Sequence, residues 1–504
     1  MKHLFFFVAG AGAFVFAQAA DPVCIVGAGP AGLTVANKLQ AKGLETVIFE
    51  KDPEVGGKCQ AYYDESGHFH PLGALLFSNE TYRETLPIID ASGVISMPFT
   101  HDKKNWYYDY KTGHVQQAGS ALSNLTSSHL FQHEIDKYTE FWNTEFVSLA
   151  SIGYKNGVKG YTMSAFDWLL ENEYPLLLLL FLEGMIPYGY GDVMQVPAIY
   201  MLQYFTPDIL LFFAGQRTGY IIDFHKVWVR YARDQVKGPI HLNTQVSKID
   251  RSGGFPIISY NDPSQKGLST QSCSKLFLAF PPVMHALQAA NLDIDDDEKT
   301  VFSPVGIIKY WSGAVGVATP YGDIFAGFLH KTFLSIVDKF IDGLGGNISF
   351  GEYIPWLPKA AGEPVAYIRL FNESNVATTW SWGKYKSDQT LDEAKSLLKT
   401  VLSKFNKDPE DPKAKPIPIT DADVKDFRQW DYFPHFDRKQ LDQGYYVKFN
   451  ALQGHKNTYY VSGLNGFETV EFAVRAGIDV VETYFGAVVP DSEWSAQVPH
   501  RVEL

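Results

Sequence analysis

Glycines at positions 27, 29 and 32 and a glutamate at position 50 are the residues whose types and spacing specify chemistry most directly. Gly27 suits a tight turn, Gly29 lets backbone approach a pyrophosphate, and Gly32 lets a helix lie close against a strand. Pro30 and Ala31 open that helix, whose first N–H groups and positive dipole end attract phosphate. A carboxylate at Glu50 is placed to accept from both hydroxyls of a ribose, and Lys51 beside it joins the same candidate set. The elements needed to position these groups surround them. An apolar run of strand length, residues 23–26, leads into the glycines; a helical pattern follows, then a second apolar strand at 46–49 ending in the acid. This is the dinucleotide-binding strand–helix–strand unit.

Further candidates lie along the chain. Gly56, Gly57 and Lys58 form a second glycine-rich turn suited to another phosphate contact. Residues 67–74 end in Gly73 and Ala74, small enough for a flat ring to lie against backbone. His68 and His70 in the same stretch lack a second ligand pair at metal spacing, so no metal is expected; either is an alternative point for covalent flavin attachment. Lys309 stands among strand residues, either snorkelling at an edge or buried for a purpose. Near the end, a strand closes at Gly463 and a helix begins near Val470 and Glu471, repeating the physics of a positive helix terminus.

Composition bounds the rest. The chain has 504 residues, more than one core holds, so about two domains are expected. With 43 basic against 56 acidic residues the net charge is −13, which repels polyphosphate, so nucleic acid is not an expected partner. Lys2 and His3, the apolar residues 4–16 and Ala17-Gln18-Ala19 read as a signal peptide over 1–20. No transmembrane segment is expected after its removal, and the secretory route is the expected localisation. Acceptor sequons at Asn79, Asn124, Asn347 and Asn372 agree with that route. The only cysteines, Cys24, Cys59 and Cys273, read as buried free thiols.

Residues 92–214 turn mostly helical and aromatic, suited to an apolar substrate and equally to core packing; the break at Pro207-Asp208 favours a buried helix pair. Residues 219–233 read as one helix, 240–243 and 245–249 as strands, 261–272 as a polar hairpin tip, and 275–282 as a buried strand stopped by prolines. The run Asp293, Asp295, Asp297 lacks the glycine and terminal glutamate of a calcium loop and reads as solvated. Strands are expected at 305–317, 364–370 and 377–382, a helix at 391–405 and a linker at 406–418.

Together, residues 23–50, the Gly56-Gly57-Lys58 turn, the strand at Val246, the strand at 276–282, Lys309, and the terminal Tyr460-Val461-Ser462-Gly463 with Glu471, Ala473, Ala476 and Gly477 resemble the glutathione-reductase-type flavoproteins. Within these the chain is similar to the flavin amine oxidase superfamily, and to its fungal secreted oxidoreductases of the β-cyclopiazonate dehydrogenase type; residues 429–435 add to the likeness. The resemblance implies FAD as cofactor and an α/β fold: a Rossmann-like FAD-binding domain of 21–91, 215–292 and 425–490, interleaved with an α+β substrate domain of 92–214 and 293–424 that carries the helical insert. It also implies FAD contacts at Val246, Gly463, Val470 and Glu471, a role for Lys309 in holding a water at the reactive flavin nitrogen, and Tyr446 as one half of an aromatic cage. The sequence departs from the superfamily in having Lys58 where arginine is usual, Tyr445 where monoamine oxidases carry a flavin-linking cysteine, and Thr469 near the second cage tyrosine.

The function expected is a secreted FAD-dependent oxidoreductase that oxidises an apolar, secondary-metabolite-like substrate by hydride transfer to flavin N5, with molecular oxygen as acceptor. The alternatives are an amine or L-amino-acid oxidase releasing peroxide and, from another class, a non-catalytic carrier on the same fold.

Overall fold

Val23–Val26 and Thr46–Phe49 are continuous apolar runs because both faces of their sheet are covered. They sit at the centre of a parallel five-stranded sheet with the order Ile240–His241, Thr46–Phe49, Val23–Val26, Lys275–Leu278, Thr458–Tyr460. The helix Pro30–Ala41 crosses between the first two strands, as parallel pairing requires. The computed structural model describes residues 21–99, 104–117, 128–262, 267–330, 353–355, 362–383 and 388–486. The expected leader at 1–20, Asn124 and Asn347 lie outside them.

A second, mostly antiparallel sheet builds the other half. It runs Val424–His435, Gly306–Gly316, Val376–Trp382, Pro364–Ile368, Ile324–His330, Asn105–Tyr108, Val115–Gln117, with Tyr353–Pro355 also pairing Ile324–His330. The long strand Val424–His435 pairs with Gly306–Gly316 in this sheet. Residues 92–214 likewise contribute two strands to this sheet as well as helices.

Those helices pack into one apolar cluster continuous with the dinucleotide unit. Pro207 ends one run and starts the next, giving Ala198–Tyr204 and Pro207–Phe213, with Thr206 accepting from Ile209 N–H as the cap. Glu134 serves another helix from a distance: its carboxylate accepts from Leu176 and Leu177 N–H at the start of Leu177–Met185. Burial raises its pKa to about 7 despite those bonds.

Several expectations change. Residues 219–233 are not one helix: Gly219–Ile221 pairs with Leu76–Phe77 and Met97–Phe99, and Asp223 then caps the helix Phe224–Gln235 by accepting from Lys226 N–H. The polar stretch at 261–272 carries the end of Ile257–Asn261 and all of Leu268–Ser272, a paired hairpin with little burial. The acidic run is not simply solvated. Asp293 and Glu298 clamp the buried Arg251 guanidinium, and Asp295 caps the helix Asp296–Phe302 in a capping box. Cys24 and Cys273 are joined in a disulfide with Cα atoms 5.5 Å apart; only Cys59 remains free. The pairing of strand Val23–Val26 with Lys275–Leu278 brings them together across 249 residues, a proximity no spacing rule reveals.

Thiol titration of unreduced, denatured protein should give one reactive group per chain, whereas three would refute the crosslink. Replacing both Cys24 and Cys273 by alanine should lower stability by about 4 kcal/mol, read from a denaturant midpoint. For Glu134 the folded pKa lies above the unfolded value, so its contribution is whole below about pH 4.5 and is lost as pH rises towards 7. Glu134→Gln should therefore raise the unfolding midpoint at pH 8 and do little at pH 4, measured by thermal denaturation.

Candidate functional site

The carboxyl ends of the parallel strands open onto a cavity of about 650 Å³. Its first wall is the glycine turn. Gly27 has φ +107°, and a Cβ there would lie 2.8 Å from the Ala279 carbonyl oxygen, so only glycine fits. At Gly32 a Cβ would stand 2.1 Å from the Gly27 oxygen, the close helix–strand approach that the spacing implies. Gly29, Pro30 and Ala31 face the cavity, and no side chain caps the helix they begin. That start is available to an anion.

Glu50 lines the cavity beside this turn, and its carboxylate accepts from Ala28 N–H at 2.7 Å and Asp52 N–H at 2.9 Å. Burial raises its pKa against both bonds. Each oxygen keeps a lone pair for a ribose hydroxyl. The second glycine turn closes on the first: a Cβ on Gly57 would come within 3.0 Å of Gly29 Cα. Lys51, Lys58, Gly73, Ala74, Val246, Gly463 and Val470 also line the cavity, so the structure brings these candidates to one space with the first turn.

Other candidates lie elsewhere. Gly32 is behind the wall, as a packing residue. Glu471 is turned away from the cavity; it is 1 % exposed and accepts from Glu84 N–H, Thr85 N–H and the Thr85 hydroxyl. It anchors the start of the terminal helix, leaving Thr469 and Val470 to face in. Lys309 is not on the cavity wall either; its Nζ donates to the Gln389 carbonyl at 3.1 Å. The neighbouring Tyr310 and the cross-strand partner of Lys309, Asp431, do line the cavity. Tyr446 is buried outside the cavity, its hydroxyl 3.0 Å from that of Tyr200. His70 is buried against Asp64 at 3.2 Å, and His68 lies on the Phe371 ring; neither lines the cavity.

The wall also holds groups that spacing did not single out. Lys58 Nζ donates to Glu468 at 2.9 Å, joining the second glycine turn to the loop before the terminal helix. The Glu468 carboxylate accepts from Phe433 N–H as well. His285 and Asp431 form a second pair at 2.7 Å. Tyr432 stacks between Tyr190 and Tyr310, with ring centroids 5.7 and 4.7 Å away, and Phe77, Phe212, Phe213 and Trp380 extend the aromatic surface. Lys58, the run 429–435 and the density of aromatic residues in the insert were the traces of this wall in the sequence. Among the described residues no group of three potential ligands could hold a metal ion, and no helix is long and apolar enough to cross a membrane.

A family model for an NAD(P)-binding Rossmann-like domain matches residues 25–91. A fatty acid isomerase from P. acnes, described as producing CLA, superposes with a TM-score of 0.73 at 20 % identity, over 92 % of this chain and 99 % of its own. Putrescine oxidase bound to putrescine superposes at 0.59 and 14 % identity, over 91 % and 97 %. The fold is that of the amine oxidases. In sequence, an uncharacterised protein of Acanthamoeba polyphaga mimivirus is 24 % identical over 92 % of this chain and 93 % of its own. An FAD-dependent oxidoreductase of Colletotrichum higginsianum is 20 % identical over 88 % of each.

Gly29→Ala tests the cradle. The nearest atom to a Cβ there is Gly57 Cα at 3.6 Å, so the chain should fold as before. The methyl would stand where a pyrophosphate must approach, and affinity for FAD should fall at least about tenfold, or ~1.4 kcal/mol, by fluorescence titration.

Proposed function

We infer that this protein is an FAD-dependent oxidoreductase whose substrate is an uncharged apolar molecule, oxidised with dioxygen as the terminal acceptor. The observation that carries the substrate reading is the pairing of charge. Each Lys, His, Asp or Glu side chain lining the cavity already has a partner: Lys58 with Glu468, His285 with Asp431, Lys51 with Asp52, and Glu50 with backbone N–H groups. An ammonium or carboxylate entering this aromatic space would have to break one of these pairs. A neutral guest needs no such exchange.

The residues present fit the cofactor: two glycine turns allow backbone approach, an uncapped helix start is open to phosphate, and Glu50 is held beside the turn by Ala28 N–H. When bound, FAD supplies a hydride acceptor at N5 and hands electrons on to dioxygen, giving peroxide. The chain positions and shelters. Thr469 accepts from Phe472 N–H and so fixes the start of the terminal helix at the cavity. Tyr190, Tyr310 and Tyr432 exclude water from the side where a guest would lie.

The secretory route is part of this proposal. The Cys24–Cys273 disulfide suits an oxidising compartment, and Asn79 and Asn372 are both exposed to modification. Secondary metabolism is the setting proposed for an apolar substrate.

The deciding experiment is anaerobic mixing of the FAD-loaded protein with neutral terpenoids, indole alkaloids, simple amines and amino acids. Bleaching of the flavin bands by neutral apolar compounds alone, with peroxide on admitting air, is the expected result. Bleaching by putrescine or amino acids would replace this reading with an amine or amino-acid oxidase. A colourless protein that takes up no FAD would remove the enzyme reading.

A further inference from the structure

Lys309, the basic residue the sequence points to, donates to the Gln389 carbonyl and does not itself line the cavity. At the rim, however, an acid–base pair does face the cavity. His285 follows the strand Lys275–Leu278, and Asp431 lies in the strand Val424–His435, directly opposite Lys309. The His285 Nε2 is 2.7 Å from the Asp431 carboxylate, and both residues line the cavity. With Nε2 engaged, Nδ1 is the nitrogen left to exchange protons. The imidazole keeps 61 % of its side-chain surface exposed while Asp431 keeps 28 %, so the pair spans from solvent to the interior.

We propose that His285 is the proton-transfer group of this cavity, with Asp431 as the positioning residue that orients its ring and Nδ1 as the exchanging atom. The inference rests on the oxidoreductase reading. Two-electron oxidation removes two electrons and two protons from the substrate. One proton leaves with the electrons as hydride; the other is released and must be accepted, here by neutral His285. Dioxygen takes two electrons and two protons to become hydrogen peroxide. One of these protons returns from the cofactor, and the other comes from His285 as imidazolium, which leaves the ring neutral and ready for the next substrate proton.

The surroundings suit a group that changes charge. The hydrogen bond to Asp431 raises the His285 pKa above its ordinary value, while burial and Lys309 oppose the rise. Burial works against Asp431, yet the bond from His285 and the charges of Lys58 and Lys309 hold its carboxyl below the usual range. Asp431, Lys309 and Lys58 are thus the charged groups that bear on this proton. An ion pair this exposed contributes little to stability, so variants at His285 should fold.

The test uses FAD-loaded protein, photoreduced without oxygen and then mixed with aerated buffer, so no substrate need be known. Reoxidation in the parent protein should slow as pH rises through the raised His285 pKa. In His285→Gln it should be about 100-fold slower at low pH and nearly independent of pH. Asp431→Asn should move the fall to lower pH. Independently of turnover, 13C-histidine NMR of the oxidised protein should show His285 titrating above its ordinary value, and below that in Asp431→Asn. Equal rates and pH profiles for parent and His285→Gln, or an ordinary His285 titration, would overturn the inference. Failure of all three proteins to bind FAD would instead overturn the oxidoreductase reading.

Discussion

Two glycine turns press against one another at the head of the parallel sheet, and the remaining architecture answers to that contact. A Cβ on Gly57 would crowd Gly29 Cα at 3.0 Å, and one on Gly32 would occupy the Gly27 carbonyl. Backbone is thus brought to backbone, leaving a surface of amide groups in place of side chains. The acid is tied into the same unit, because Ala28 N–H donates to Glu50 at 2.7 Å. Moving any one of turn, helix start or acid displaces the others.

The second half of the cavity depends on the far end of the chain. The Lys58–Glu468 bond joins residues 410 positions apart, and Gly477 lets the terminal helix lie against Ala31 and Thr34. Strand Thr458–Tyr460 completes the parallel sheet next to Lys275–Leu278. The antiparallel sheet contributes through its longest pair of strands, which bring Tyr310 and the run Gln429, Trp430, Asp431 and Tyr432 to the cavity.

Local chemistry in this chain was legible from sequence, and long-range chemistry was not. Gly27, Gly29, Glu50 and Gly57 declare themselves because each answers a constraint within a few dozen residues. The strands at 46–49 and 275–278 follow from apolar runs that need no partner to be recognised. Lys309, Glu471 and Tyr446 stand near the cavity without lining it, and where each side chain ends is set by partners distant in sequence: Gln389, Thr85 and Tyr200. The Cys24–Cys273 bond, the Lys58–Glu468 pair and the His285–Asp431 pair arise only when distant segments meet. The break at Asp223 was hidden by the apolar residues on both sides of it, although an aspartate before a helical run is itself a cap signal.

The place of strand Thr458–Tyr460 in the central sheet has a consequence for biosynthesis. A nascent chain on the ribosome holds the first glycine turn long before strand Thr458–Tyr460 and the helix Val470–Phe485 have emerged. Loading of the cofactor therefore waits on segments made far apart in time. Until then the apolar edge of Lys275–Leu278 lies open, a state in which folding helpers have most to protect.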